Sequence, residues 1–301
     1  MSFVDPATGR AASLVAITGG TASGKTSLLD AIVAAKERIA PFGAMPTDTA
    51  ILRPGARSAK IKVTWEFTPA ERDRTGTDRD TIITESVYGA TLAPAEPDPT
   101  AAALLGDASF DPTVSKLEYF AANRRMPLGS GVDATRLGNG PVDRELRLSK
   151  DNGKYAALVS FIVAAGLGLD IDDSGKPKPA GRVTVAFSKL CTSKKLAGLY
   201  RAGDGVFPGF TDHAGRALGV TQLSDGELDA LLVAATFVRN GLRASTILLD
   251  TPELHRSDLD TRLFIEGVRA IEEENQIIVA TRSPAILGML PRDSVITLQP
   301  S

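Results

Sequence analysis

Residues 19–26 read GGTASGKT, which is the pattern G-x4-G-K-T with Ser27 directly after it. Gly19, Gly20 and Gly24, with Thr21, Ala22 and Ser23 between them, make a loop whose backbone N–H groups can close around phosphates. The start of the helix that follows adds positive potential. Lys25 is the residue type to neutralise β- and γ-phosphates, and the Thr26 hydroxyl is a Mg²⁺ ligand. A second chemical residue closes the run Thr246-Ile-Leu-Leu-Asp250. Alone, Asp250 would read as a cap on the turn Thr251-Pro252; with the phosphate loop upstream, a carboxylate at the end of a buried strand is placed to hold Mg²⁺ opposite Thr26. A third feature is Leu223-Ser224-Asp225-Gly226-Glu227. Ser224 and Glu227 form a capping box ahead of an apolar helix, and a helix start carrying Ser224 and Gly226 also suits a phosphate. The expected ligand set is ATP with Mg²⁺.

These residues need elements to position them. Ser13 to Thr18 is a short apolar run that fits a buried parallel strand. Lys25 to Ala40 reads as a helix with Leu28, Leu29, Ile32 and Val33 on one face. Ala50 to Phe67 is strand material, and Thr81 to Tyr88 its partner. Thr91 to Pro112, rich in Pro, Ala and Asp, reads mostly as loop, and Met126 to Pro141 as a second irregular stretch. Tyr155 to Leu167 reads as a buried helix, Asp170 to Arg182 as a polar loop, and Val183 to Phe187 as a strand. Further on, Leu228, Leu231, Leu232, Ala235 and Val238 repeat at helical spacing. A strand ending at Asp250, a helix over 257–274, a strand over 276–281 and a last strand at 295–298 follow. The alternation predicts an α/β layer architecture.

Composition narrows the classes. The 301 residues carry a net charge of −2, so no basic excess supports a broad nucleic-acid surface. A single cysteine, Cys191, excludes an intrachain disulfide, and two histidines make a His-rich zinc site implausible. No uninterrupted apolar run reaches the roughly 18 residues of a membrane span. The first twelve residues lack the apolar segment of a signal peptide. A cytoplasmic location is expected. Neither an internal repeat nor a heptad run is present.

Together the motifs resemble the ATP-binding-cassette ATPases, in the soluble branch related to RecF, Rad50, SMC and overcoming-lysogenization-defect proteins. LSDGE resembles that group's LSGGE/Q signature. DTPELH, Asp250 to His255, resembles its DEPELH. SDLD at 257–260 resembles the D-loop, and ATRSP at 280–284 resembles the TTHSP segment with the switch histidine. The likeness covers residues 13–40 and 220–298; Tyr119 to Arg125 weakly resembles a YxPxxR segment. It implies one P-loop NTPase domain over 1–301, an ABC-type ATPase head with a mixed β-sheet flanked by helices and an irregular, partly helical insert at about 90–215. It also implies a head-to-tail homodimer, with ATP between the Walker A loop of one subunit and Ser224 and Gly226 of the other.

Two departures from the family pattern bear on activity. Thr251 stands where the group has its catalytic glutamate, and threonine cannot polarise water as a carboxylate does. Arg282 replaces the switch histidine; arginine stays protonated, so it can stabilise phosphate charge without relaying a proton. Glu253 is the nearest carboxylate able to substitute as base. The expected outcome is slow hydrolysis, with Lys25, Asp250, Glu253 and Arg282 as the catalytic set, and a separate effector protein as partner, since the chain has no room for a C-terminal nuclease. Such ATPases occur in DNA repair and defence against phage. Arg124 and Arg125 read either as nucleotide or partner contacts or as a solvated loop, and His255 as a turn residue. Other readings stay open. GGTASGKTS also resembles the phosphate loop of uridine kinases, a small-molecule kinase class. A non-catalytic ATP-bound scaffold fits Thr251 and Arg282. A transporter subunit would require a Q-loop glutamine, which is not found.

Overall fold

A computed structural model describes residues 1–43, 46–89, 96–106, 117–128, 146–167, 181–272 and 274–299. Strand β1 (Leu14–Gly19) and helix α1 (Lys25–Ile39) flank the glycine-rich loop. A one-turn helix α2 (Asp48–Ile51) leads to β2 (Ala59–Glu66), which reaches β3 (Thr81–Tyr88) through α3 (Pro69–Thr75). Next come α4 (Pro99–Gly106), β4 (Leu117–Phe120), α5 (Leu158–Gly166) and α6 (Gly181–Leu190). An antiparallel sheet of β5 (Lys194–Ala202), β6 (Gly205–Asp212) and β7 (Ala217–Gly219) follows. The chain then alternates α7 (Asp225–Asn240), β8 (Thr246–Asp250), α8 (Asp258–Ile271) and β9 (Gln276–Ala280). It closes with α9 (Pro284–Leu287) and β10 (Val295–Leu298).

The central sheet has the order β10-β1-β9-β8-β4, and each of its pairings is parallel. The strand content is mixed because the antiparallel pairs lie in separate sheets, β2-β3 and β5-β6-β7. A parallel sheet must bury both faces, which is why its strands are apolar at consecutive positions. Ile17, Leu248 and Ile278 face Leu29 and Ile32 of α1. Ile247, Leu249, Ile277 and Val279 face the other way, onto Leu231 and Phe237 of α7 and Phe264 of α8. Parallel strands also end on the same side, so Gly19, Asp250 and Ala280 emerge along one edge of the sheet. That edge is where open α/β sheets place ligands.

Several expectations change. Val183 to Phe187 is helical, part of α6, not a strand. Val183, Ala186, Phe187 and Leu190 are buried at helical spacing, and the period shows only once Leu190 is included. The loop expected over 91–112 contains α4, started by Asp98, whose Oδ1 accepts from the N–H groups of Thr100 and Ala101 at 2.9 and 3.2 Å. Only 59–66 of the stretch 50–67 is strand; residues 50 and 51 belong to α2. The irregular stretches expected at 91–95, 107–112, 129–141 and 170–180 lie outside the described residues. Within the range expected as an insert, β4 completes the central sheet beside β8. Its buried Glu118 accepts from Asn240 Nδ2 at 2.8 Å and Arg147 Nε at 3.2 Å. No described helix is long and apolar enough to cross a membrane.

Candidate nucleotide-binding site

The loop between β1 and α1 has the backbone its glycines permit. Gly19 sits at φ 147°, and a Cβ there would come within 2.5 Å of the Leu298 carbonyl oxygen and 2.6 Å of Ser23 Oγ. Gly24 caps α1 at φ 91°, a left-handed position costly for other residues, and no side chain caps the helix start. The first-turn N–H groups of α1, over Lys25, Thr26 and Ser27, therefore have no intrahelical acceptor and, among the described residues, no side-chain cap. The Lys25 ammonium donates to the carbonyls of Gly19 (2.9 Å) and Gly20 (2.7 Å) and to Ser23 Oγ (3.3 Å), which fixes its charge at the loop.

Strand β8 brings Asp250 to this loop across the intervening β9. Thr26 Oγ1 donates to Asp250 Oδ2 at 2.7 Å. The residues are 224 apart in sequence, so the fold alone pairs them. Asp250 is 2% exposed, and its second oxygen accepts from Thr251 Oγ1 at 2.9 Å. A hydroxyl and a carboxylate side by side are the hard oxygen donors that Mg²⁺ takes alongside nucleotide phosphates and water, without a dedicated all-protein cage. The donor set fits Mg·nucleotide.

Thr251 is strained. Its φ is 48°, the left-handed region that β-branched residues avoid. It persists because its N–H continues the ladder to the Ala280 carbonyl at 2.8 Å while its hydroxyl binds Asp250. Such a backbone costs about 1–3 kcal/mol and concentrates at functional sites. Two residues on, Glu253 turns back toward the end of β9. Its Oε1 accepts from the Arg282 N–H at 3.0 Å, while Oε2 is buried with no hydrogen-bond partner among the described residues. Arg282 in turn donates from Nη1 to Thr21 Oγ1 at 2.9 Å. Lys25, Thr26, Asp250, Glu253, Arg282 and Thr21 thus form one hydrogen-bonded group with the loop.

Ser224, Gly226 and Glu227 are organised separately, at the start of α7. Ser224 Oγ accepts from the Glu227 N–H at 3.3 Å, and Glu227 Oε2 from the Ser224 N–H at 2.8 Å, a reciprocal capping box. Glu227 Oε1 also takes Ser193 Oγ at 2.6 Å and Lys194 Nζ at 3.1 Å. Burial opposes its charge, yet these bonds hold its carboxyl below the ordinary glutamate value. His255 is half-exposed at φ 62°, in the turn expected for it.

Arg124 is neither in a solvated loop nor at the nucleotide loop. It is buried, paired bidentately with Asp229 of α7 at 2.6 and 2.9 Å, and its Nη1 donates to the Asp250 carbonyl at 2.8 Å. Arg256 joins the same carboxylate at 2.7 Å. Burial works against charge on all three; mutual attraction still raises Arg124 and lowers Asp229, while burial prevails at Arg256 and lowers it. Sequence reasoning did not single out Asp229 or Arg256. The available signal was a carboxylate inside the apolar pattern of α7, which must find a buried cation. Arg125, by contrast, lies in exposed surroundings, where its backbone N–H donates to Asn152 Oδ1 at 2.8 Å.

The same architecture recurs in solved structures. An Smc head bound to the C-terminal winged-helix domain of ScpA matches with a TM-score of 0.52 and 16% identity, covering 93% of this chain and 88% of that one. An Smc head with an extended coiled coil, bound to the C-terminal domain of ScpA derived from Pyrococcus furiosus, matches at 0.50 and 12%, over 95% and 87%. The fold is that of an Smc head. At such identity the likeness is one of fold, and function has to be argued from the site. No protein-family model matches the chain, and no curated protein matches it. Within the Smc-head fold, the GKT loop and Asp250 occupy the sheet edge from which β1, β8 and β9 emerge.

Proposed function

We propose that this chain is an ABC-type ATPase that binds Mg·ATP on residues 19–27 and turns it over slowly. On that ligand it dimerises head to tail, regulating or assembling a separate partner protein. The supporting observation is the 2.7 Å bond from Thr26 to Asp250, which joins the phosphate loop to the buried strand end. Loop N–H groups and Lys25 bind the phosphates, Thr26 and Asp250 hold the cation, and Arg282 stabilises phosphate charge. Bound Mg²⁺ supplies neutralisation of that charge. Glu253 serves as base: it is the carboxylate that the Thr251 turn directs to the end of β9, and among the described residues no donor reaches its buried Oε2, which can accept a proton from water. An unsatisfied buried acceptor costs about 1–3 kcal/mol, so such an oxygen calls for a donor.

In the dimer, Ser224 and Gly226 meet the nucleotide of the other copy, and Glu227 fixes the helix start that presents them. Leu259 and Leu263, one turn apart on α8, are 67% and 36% exposed and offer apolar contact area on that helix. The ScpA domains seated on the two Smc heads support a separate protein as partner; the net charge of −2 gives no support to nucleic acid. The family resemblance suggests a cytoplasmic setting in DNA repair or anti-phage defence. Thr251 favours one second reading, an ATP-held scaffold with no turnover, because its hydroxyl is committed to Asp250.

Sedimentation velocity with and without Mg·ATP tests the dimer. The wild type is expected to shift from monomer to dimer only with Mg·ATP, and Lys25→Ala to stay monomeric. Leu259→Asp is expected to bind nucleotide normally and dimerise at least about tenfold more weakly, as for a core contact residue. A nucleotide-saturated wild type that stays monomeric would overturn the dimer.

A further inference from the structure

Two guanidinium groups and one carboxylate form a buried ion cluster beside the site. Asp229 lies one turn into α7. Arg124 grips both its oxygens and also donates to the Ala121 and Asp250 carbonyls at 3.1 and 2.8 Å. Arg256 donates from Nη1 to Asp229 Oδ2 at 2.7 Å and to the Pro252 carbonyl at 2.9 Å. Its Nη2 donates to the Gly226 carbonyl at 3.1 Å, and its guanidinium lies 3.7 Å from the centre of the Phe264 ring of α8. Gly226 itself is pressed onto the same turn: a Cβ there would stand 2.7 Å from the His255 carbonyl oxygen.

Stability alone does not explain this arrangement. Buried ion clusters are often no more stabilising than apolar residues of the same volume, since desolvation offsets the attraction. Here two positive charges share one negative charge, and the remainder is met by backbone carbonyls and an aromatic face. Every carbonyl used belongs either to the Asp250–Leu254 turn, to the end of β4 or to the first turn of α7. Bidentate pairs fix angle as well as distance, and in a low-dielectric interior a small displacement of one member is felt by the others.

We infer that Arg124, Asp229 and Arg256 are positioning residues: they transmit a shift of the Asp250 strand end, on nucleotide binding, to the first turn of α7 in the same chain. The inference rests on the Mg·ATP reading above. Asp250 touches the Thr26 hydroxyl through its carboxylate and Arg124 through its carbonyl, so one residue belongs to both assemblies. A ligand at Thr26 and Asp250 thereby biases where Gly226 and Ser224 sit before a second copy arrives. The α7 start is made ready by nucleotide in its own chain, in addition to meeting the nucleotide of the other.

The test uses the full chain at concentrations where sedimentation shows the monomer. Amide hydrogen exchange at residues 224–232 is compared with and without Mg·ATP in wild type, Arg256→Lys and Arg124→Lys, alongside the Kd for Mg·ATP. Arg256→Lys keeps a cation near Asp229 but loses the fork to Gly226 and the flat contact with Phe264, so the fold is expected to survive. In the wild type, Mg·ATP is expected to change exchange at 224–232. Both variants are expected to lose that change and to need about 5- to 150-fold more Mg·ATP to dimerise, the usual range of coupling between sites, with Kd in the monomer within about threefold of wild type. Retention of the wild-type exchange response in Arg256→Lys would overturn the inference, as would an equal weakening of Kd and dimerisation. A wild type that binds no Mg·ATP would remove the reading beneath it, and that result is seen without any variant.

Discussion

Lys154 sits beside Glu118, with its ammonium donating to the Tyr119 and Arg147 carbonyls. Burial, opposed by Glu118 and reinforced by Arg147 and Arg124, pulls its pKa from 10.5 down to about 8. A lysine with a depressed folded pKa binds fewer protons folded than unfolded between those two values, so stability rises with pH across that window. In Lys154→Met this term is absent. The stability of wild type minus that of Lys154→Met, from urea unfolding, should therefore grow from pH 7.5 to pH 10, and a flat difference would contradict it. The residues of the phosphate loop were legible because they are consecutive and their chemistry is local. The Arg124–Asp229 and Arg256–Asp229 pairs were not, because their members lie 105 and 27 residues apart. Only folding shows that a carboxylate in an apolar helix has two arginine partners. Glu253 was legible as a candidate by position, but its orientation toward Arg282 depends on the turn that Thr251 starts at positive φ.

Among the elements, α8 and α6 meet at Gly267. A Cβ there would come 2.1 Å from the Lys189 carbonyl oxygen at the end of α6. Alanine is the better helix former by about 1 kcal/mol, yet forcing atoms into a filled contact costs about 1–3 kcal/mol. Since the obstacle is backbone and not a flexible side chain, the clash should win. Gly267→Ala is expected to unfold at lower urea with an unchanged m-value, whereas a gain in midpoint would show that α6 shifts freely. This contact explains why residues that read as loop and strand fold as the helix α6. Val183, Thr184 and Val185 favour strand locally, and docking against α8 decides for helix. The β5–β6 hairpin was missed for a related reason. Its turn Gly203-Asp204 is a hairpin signal, but Pro208 and Gly209 inside β6 disfavour a strand locally. Pro208 is tolerated because β7 pairs only with Gly209 to Thr211, so that Pro208 lies beyond the β7 pairing on that side of β6.

At the scale of the whole molecule, one parallel sheet with helices on both faces gathers three chain segments, near residues 20, 250 and 282, at a single edge. The first 40 residues and the last 80 announced this in strand–helix alternation. The middle did not, because β4 is four residues long and contains a buried glutamate whose cations come from elsewhere. Mg·ATP chemistry at that edge, with Glu253 as base, is tested most directly by steady-state turnover with Mg²⁺. Wild type should hydrolyse ATP slowly. Lys25→Ala and Glu253→Gln, which keeps an acceptor for the Arg282 N–H, should each fall by about 10²–10⁴-fold or to background. Glu253→Gln at the wild-type rate, or a wild type no faster than Lys25→Ala, would contradict it.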